Sequence, residues 1–190
     1  MIPFVAGLLI FLAVHSTRVF AEGWRGATIA RIGERPWKGI YSLVSIAAFV
    51  LMVWGYGQAR QQVPLWIPPA FTRHLTALLM LPVFPIFLAA YVPRNGIKAR
   101  LHHPQALSVA LWAIAHLLSN GNLADVLLFG GFLAWALLSF GAARKRDRAA
   151  GTVYPAGTLR GTIVCAVVGL AIYAAFVMAL HRWLIGVSPV

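Results

Sequence analysis

Four histidines stand in or beside strongly apolar runs: His15, His74, His103 and His116. A neutral imidazole is a ready ligand for iron, and two of them on facing membrane helices can hold a haem from opposite sides of its ring. An ionisable group at membrane depth is a functional candidate by default. Arg18 lies one turn after His15 and Arg73 lies beside His74. A guanidinium fork in either place matches the carboxylate of a haem propionate. The plain alternative for each is interfacial: an imidazole that only hydrogen-bonds, an arginine that snorkels to the head groups. His102 and His181 read as flanking residues. No serine, histidine and acid arrangement, phosphate loop or carboxylate pair is visible, which leaves hydrolase and phosphotransferase chemistry without support. The single cysteine, Cys165, provides neither a disulfide framework nor a cysteine-based metal site within the chain.

The elements that must carry these residues are helices. Pro104 suits a first helical turn, and Asn120-Gly121 is expected to supply a left-handed cap, so one helix is expected from 104 to about 119, with His103 at its start and His116 on its far half. Six apolar segments can be counted, at roughly 2–20, 39–57, 72–92, 104–119, 122–141 and 161–184, the fourth being short for a ~30 Å hydrocarbon core. The expected fold is all-α: one polytopic transmembrane helical bundle of about six spans, occupying residues 1–190 as a single domain. Ile2 to Val14 reads as a retained first helix, without the basic start or Ala-x-Ala site of a removed signal. Pro82 and Pro85 are expected to kink the third span and shape a pocket, and Pro64 to Pro69, with Trp66, to form an ordered lid at the outer surface. Gly130-Gly131, Gly161 and Gly169 offer close helix approach. Asp125 sits early in the fifth span, where a helix N-terminus favours a carboxylate.

Composition agrees with the bilayer as the main partner. The chain is 61% hydrophobic and 11% charged, with mean hydropathy +0.80. The formal net charge of +12 comes from 16 Lys and Arg against 4 acids, and it does not point to nucleic acid, because the cations lie in the connections between apolar runs. The five connections and the tail carry five, two, three, none, five and one of them, so that 13 fall on odd connections and 3 on even ones plus the tail. By the positive-inside rule both termini face away from the cytoplasm, in a multi-pass protein expected in the bacterial inner membrane with periplasmic termini.

At a rise of ~1.5 Å per residue, His15 lies roughly 20 Å from the outer face and His116 roughly 20 Å from the inner one, with His103 at the inner boundary and His74 at the outer. Depth pairs His15 with His103, and His116 with His74. A sunken fourth span would bring His116 closer to the level of His15.

Several stretches resemble one family. His15-Ser16 closing a first span, Arg73-His74-Leu75-Thr76, Tyr91-Val92-Pro93-Arg94-Asn95, His103-Pro104 and Leu111-Trp112-x-x-Ala115-His116-Leu117-Leu118-x-Asn120-Gly121 resemble the NnrU family of integral membrane proteins. The fourth-span pattern is the specific part. The family is named for a product associated with nitrite and nitric oxide metabolism in denitrifying bacteria, and its relatives include 15-cis-zeta-carotene isomerase, a haem b protein. The resemblance implies haem b with His15 and His116 as the metal ligands and His103 in the place of the family's His-Pro histidine. Where the isomerase motif has a cysteine implicated as an alternative iron ligand, this chain has Ala113, which puts a ligand-switching isomerase in doubt and leaves haem binding standing.

Three functions follow as expectations. The first is a haem b membrane protein with an accessory or redox role in nitrite and nitric oxide metabolism, working with a redox partner. The second is a cis–trans isomerase of a hydrophobic polyene, with Phe84 and Phe87 beside the Pro82 and Pro85 kink as a slot. The third, a transporter, would need a polar midplane site and inverted repeats, neither of which the sequence displays.

Overall fold

The structure, a computed structural model, describes residues 1–189. The helices are α1 (Ile2–His15), α2 (Thr17–Phe20), α3 (Glu22–Ile32), α4 (Glu34–Ala59), α5 (Phe71–Met80), α6 (Val83–Leu88), α7 (Gly96–Leu101), α8 (Pro104–Ser119), α9 (Leu123–Ala150), α10 (Leu159–Ala175) and α11 (His181–Ile185), the last two joined by one π-helical turn, Phe176–Leu180. Among the described residues there is no β-strand, only isolated bridges, so the chain is an all-α bundle. Four helical stretches among the described residues are long and apolar enough to cross a membrane: Glu34–Ala59, Phe71–Leu88, Leu123–Ala150 and Leu159–Ile185. The other two apolar helices, Ile2–His15 and Pro104–Ser119, have 14 and 16 residues, or roughly 21 and 24 Å at 1.5 Å per residue, less than a ~30 Å core.

Local chemistry sets the boundaries. Pro3 and Pro104 occupy first turns, where the missing N–H has no intrahelical partner to lose. The Asn95 side chain accepts from Lys98 N at 2.7 Å to start α7, and Thr158 accepts from Gly161 N at 3.1 Å to start α10. Asn122 and Asp125 form a reciprocal capping box at the head of α9, which ends at Gly151 in the left-handed region (φ 61°). The third span breaks between Met80 and Val83, where Pro82 interrupts the ladder. Leu81 N turns back to Leu78 O, and the Ala77 carbonyl accepts instead from the Tyr173 hydroxyl at 2.9 Å.

Packing relies on small residues. Eight of the fourteen buried apolar residues among those described are alanine, as expected where lipid offers helices no hydrophobic force to associate and close backbone approach must supply the attraction. The most extensive interface joins α1 to α4 antiparallel, followed by α8 with α9. A Cβ at Gly55 would lie 2.3 Å from Phe4 N, and one at Gly7 2.4 Å from Met52 N. Of the glycines expected to allow close approach, Gly161 and Gly169 meet the backbone of Arg94 and Pro85, whereas Gly130 faces open space.

The connections sort to two ends. Arg146 donates to the Arg18 carbonyl at 3.0 Å, and Thr158 pairs with Arg94 and Asn95, so the first, third and fifth connections meet at one end, here called the basic end. At the opposite end Arg60 donates to Ile185 O at 2.7 Å, and residues 63–66 are strapped to the α8–α9 turn by Leu65 N to Gly121 O (2.8 Å), Trp66 N to Gly121 O (3.2 Å) and Leu123 N to Val63 O (2.9 Å). Gly121 is not a left-handed cap. Asn120 is extended (φ −128°, ψ 130°), and the glycine is needed because a Cβ would lie 2.1 Å from the Trp66 carbonyl oxygen.

Candidate functional site

At the end away from the basic connections lies a cavity of about 250 Å³, walled by the end of α4, by α5, α8 and α9, and by the segment from α11 onward. His116 is its most enclosed imidazole. The α8 geometry places Nδ1 2.9 Å from the Trp112 carbonyl one turn back, and that oxygen can only accept, so Nδ1 carries the proton and Nε2 keeps its lone pair. Phe129 stacks on the ring at 4.8 Å between centroids and Trp112 flanks it at 5.4 Å, which fixes its plane. Arg73 and Thr76 bring polar groups from α5 into the same cavity, and His181 shares it, its own Nδ1 donating to Val187 O at 2.7 Å. Asp125 is 2% exposed and accepts from the Tyr56 hydroxyl, besides capping α9. His74 is exposed and does not line this cavity, although Arg73 beside it does. The Pro64–Pro69 segment runs beside the cavity, tied to the α8–α9 turn, and contributes none of its walls.

The basic end holds a second cavity of about 340 Å³, lined by His15, Arg18, His103 and further basic residues. His15 is presented as His116 is: Nδ1 lies 2.8 Å from the Phe11 carbonyl one turn back, leaving Nε2 unprotonated. Phe11 stacks on it at 4.0 Å, with Tyr41 at 5.3 Å and Trp135 at 6.2 Å. His103 differs, because its Nε2 is already engaged by Asp147 Oδ2 at 2.6 Å. Asp147 also accepts from the Tyr154 hydroxyl at 2.8 Å, and burial, then the bond to this carboxylate, push the Tyr154 hydroxyl up to about 12. His102 stacks on Tyr154 at 4.3 Å and bonds Arg144 through Nδ1.

The two presented imidazoles therefore lie in different cavities. The side chains of Phe11, Phe132 and Trp112 run between them as neighbouring rings, 5.8 and 5.6 Å apart in turn. His15 and His103 share one cavity, as their depths suggest; His116 and His74 do not share the other. Ala113 is fully buried and has no donor atom to offer a metal. Among the described residues, no three side chains of His, Cys, Asp and Glu converge to hold a metal ion.

Sequence reasoning passed over Asp147, Tyr154 and Trp135, and read His181, which lines the cavity of His116, only as a flanking residue. Asp147 is the one acid inside Arg144-Lys145-Arg146-Asp147-Arg148, a run that reads as a topology signal. Its role emerges only when α9 carries it past the start of α8.

Each cavity pairs an imidazole whose Nε2 is held unprotonated with a guanidinium, Arg18 with His15 and Arg73 with His116. A metal-binding histidine commonly has that form, its other ring nitrogen fixed by a backbone carbonyl. These donors suit haem, which takes neutral imidazole on iron and cations at its propionates. Fold and site together describe a multi-helix membrane protein with one presented histidine towards each end of the bundle. The chain belongs to the NnrU family: the family description NnrU protein matches residues 3–189. No curated protein and no solved structure matches it.

Proposed function

We propose that this NnrU family member binds haem b and handles electrons in nitrite and nitric oxide metabolism, as an accessory redox protein of the bacterial inner membrane. The observation that carries the reading is the matched presentation of His15 and His116, each with Nδ1 tied to the carbonyl one turn back and Nε2 left as a donor pair. Arg73 and Arg18 would face propionates. Bound haem supplies one-electron transfer. The chain's own part is to fix the imidazole planes with Phe129, Trp112 and Phe11, and to keep them neutral in an apolar setting. The isomerase reading has less support. Its expected slot at Pro82 and Pro85 is packed by Gly169 against Pro85 and by Phe176 against Phe84 at 5.1 Å.

An absorption spectrum of protein purified in mild detergent, with and without dithionite, tests this. The split α-band of a low-spin reduced haem is expected. Because the two imidazoles line different cavities, His116→Ala and His15→Ala should each remove roughly half of it. His102→Ala should leave it intact. A haem-free wild type grown with ample precursor, or a spectrum indifferent to both His116→Ala and His15→Ala, sinks the proposal.

The cation distribution orients the bundle in the same proposal, with the basic end in the cytoplasm and both termini periplasmic. A reporter inserted at Arg146 should be active in the cytoplasm and one at the N-terminus should not. The reverse pattern would invert the bundle.

A further inference from the structure

The basic-end cavity is unusual in its charge. Its wall carries Arg18, Lys98 and Arg146, and among the described residues no carboxylate lines it. Among the described residues Lys98 and Arg146 donate only to the backbone carbonyls of Ala90 (3.0 Å) and Arg18 (3.0 Å), which satisfy hydrogen bonds without cancelling charge. The rim carboxylate, Glu22, is divided between Arg18 at 3.8 Å and Arg25 at 3.2 Å, and Asp147 is engaged by His103 and Tyr154. Two further donors on wall residues, Trp135 Nε1 and Ser139 Oγ, are buried without a hydrogen-bond partner among the described residues, an arrangement that costs free energy unless something accepts from them. The cavity thus combines net positive charge with spare donors, the complement of an oxyanion.

Its level in the bundle names the source of that anion. Trp135 and His15 belong to apolar spans, while Arg146 belongs to the basic run that follows one, so the cavity straddles the boundary between hydrocarbon and charged connection. Apolar groups of Val19, Pro104 and Ala106 share the wall with the cations. A soluble anion has no use for such walls; an amphiphile does. We propose that this cavity binds the phosphate head group of an anionic phospholipid, held by Lys98 and Arg146. Basic pockets between spans recognise such head groups by charge, and arginine matches phosphate with two parallel hydrogen bonds. The haem reading uses His15 and Arg18 of the same wall, whereas the lipid site rests on Lys98 and Arg146 and stands whether or not haem is bound.

The test uses the full chain in nanodiscs of phosphatidylcholine with a minor share of phosphatidylglycerol, with lipid retained on gentle release counted by native mass spectrometry. The wild type should retain phosphatidylglycerol preferentially. Lys98→Gln with Arg146→Gln should weaken retention about thirtyfold, whereas Arg31→Gln with Arg35→Gln, which removes two cations outside the cavity, should not. Arg146→Lys should keep most of the binding. Should the double variant fail to fold, Ser139→Ala reads the same site with a smaller loss, about fivefold. Equal losses in the two double variants would mean diffuse surface attraction and overturn the site. So would retention unchanged by Ser139→Ala and Lys98→Gln with Arg146→Gln alike. Equal protection by millimolar inorganic phosphate in neutral detergent would assign the cavity to a soluble anion. Loss of haem absorption in the cavity double variant would assign its cations to propionates, and either result ends the lipid proposal.

Discussion

Gly55→Ala should cost about 3 kcal/mol of stability, while Gly57→Ala, two residues along the same helix, should be neutral or slightly stabilising. Both changes add one methyl to α4, and both gain the alanine preference for helix, about 1 kcal/mol. They differ in what the methyl meets. At Gly57 nothing lies within 4 Å, whereas at Gly55 the new carbon would sit 2.3 Å from Phe4 N and 2.7 Å from Phe4 Cα. Those are backbone atoms of a helix whose Phe4 is wholly buried, so no side-chain rotation relieves the clash and α1 must move away from α4. In a bilayer that separation forfeits the dispersion contacts that hold the pair together, with no hydrophobic force to replace them. Reversible unfolding in mixed micelles gives both numbers. Equal stabilities would show that α1 and α4 do not approach at Gly55. Because α1 also carries Phe11 and His15, the Gly55→Ala variant should lose the portion of any haem spectrum that depends on His15, and Gly57→Ala should keep it.

Much of this architecture is legible in the sequence because the bilayer imposes strong rules. The apolar runs give the helices, Pro104 gives the start of α8, and the sorting of cations to odd connections anticipates that residues 18, 94, 146 and 158 meet at one end. His15 and His116 stand out as imidazoles in apolar helices, and the structure adds the carbonyl bonds that set their tautomers. What the sequence hides is depth. A rise per residue locates a side chain along its own helix, but α1 and α8 are both shorter than the membrane, and nothing in their composition says how each is shifted against its neighbours. The aromatic layer of Phe11, Phe132 and Trp112 between the two histidines is a tertiary fact for the same reason. The Asn120-Gly121 pair misleads in a different way: it carries the usual signal for a left-handed cap, yet the glycine is required by the approach of a loop more than fifty residues earlier in the chain. Asp147 hides among arginines, where charge pattern speaks of topology and not of the imidazole it will meet.

The largest single side-chain effect is expected at Asp125. Asp125→Ala should destabilise the protein by about 3 kcal/mol, because one carboxylate serves two structures at once. Its Oδ2 accepts from Asn122 N at 3.1 Å and from Asn122 Nδ2 at 3.0 Å, closing the capping box of α9, and its Oδ1 accepts from the Tyr56 hydroxyl, fastening α4 to α9. Losing a cap costs about 1 kcal/mol. Stranding a buried tyrosine hydroxyl costs about 1–3 kcal/mol more. Tyr56→Phe leaves Asp125 Oδ1 without that donor but keeps the α9 cap, so it should cost about 2 kcal/mol, the range of one hydrogen bond to a charged partner. Asp125→Asn keeps one acceptor oxygen and should fall between them. The order Ala, Asn, then Tyr56→Phe separates this account from a general effect of charge at membrane depth, under which Asp125→Asn and Asp125→Ala would relieve a buried carboxylate and raise stability. The consequence reaches the site. Asn122 adjoins Gly121, to which residues 65 and 66 are strapped, and Asp125 and Tyr56 wall the cavity of His116. Loosening of the α8–α9 turn in Asp125→Ala should therefore show as faster hydrogen exchange at Leu65, Trp66 and Leu123, whose amides donate across that strap, while the amides of α10 remain protected. Unchanged exchange at all three, with stability lost, would locate the effect of Asp125 in the Tyr56 contact alone.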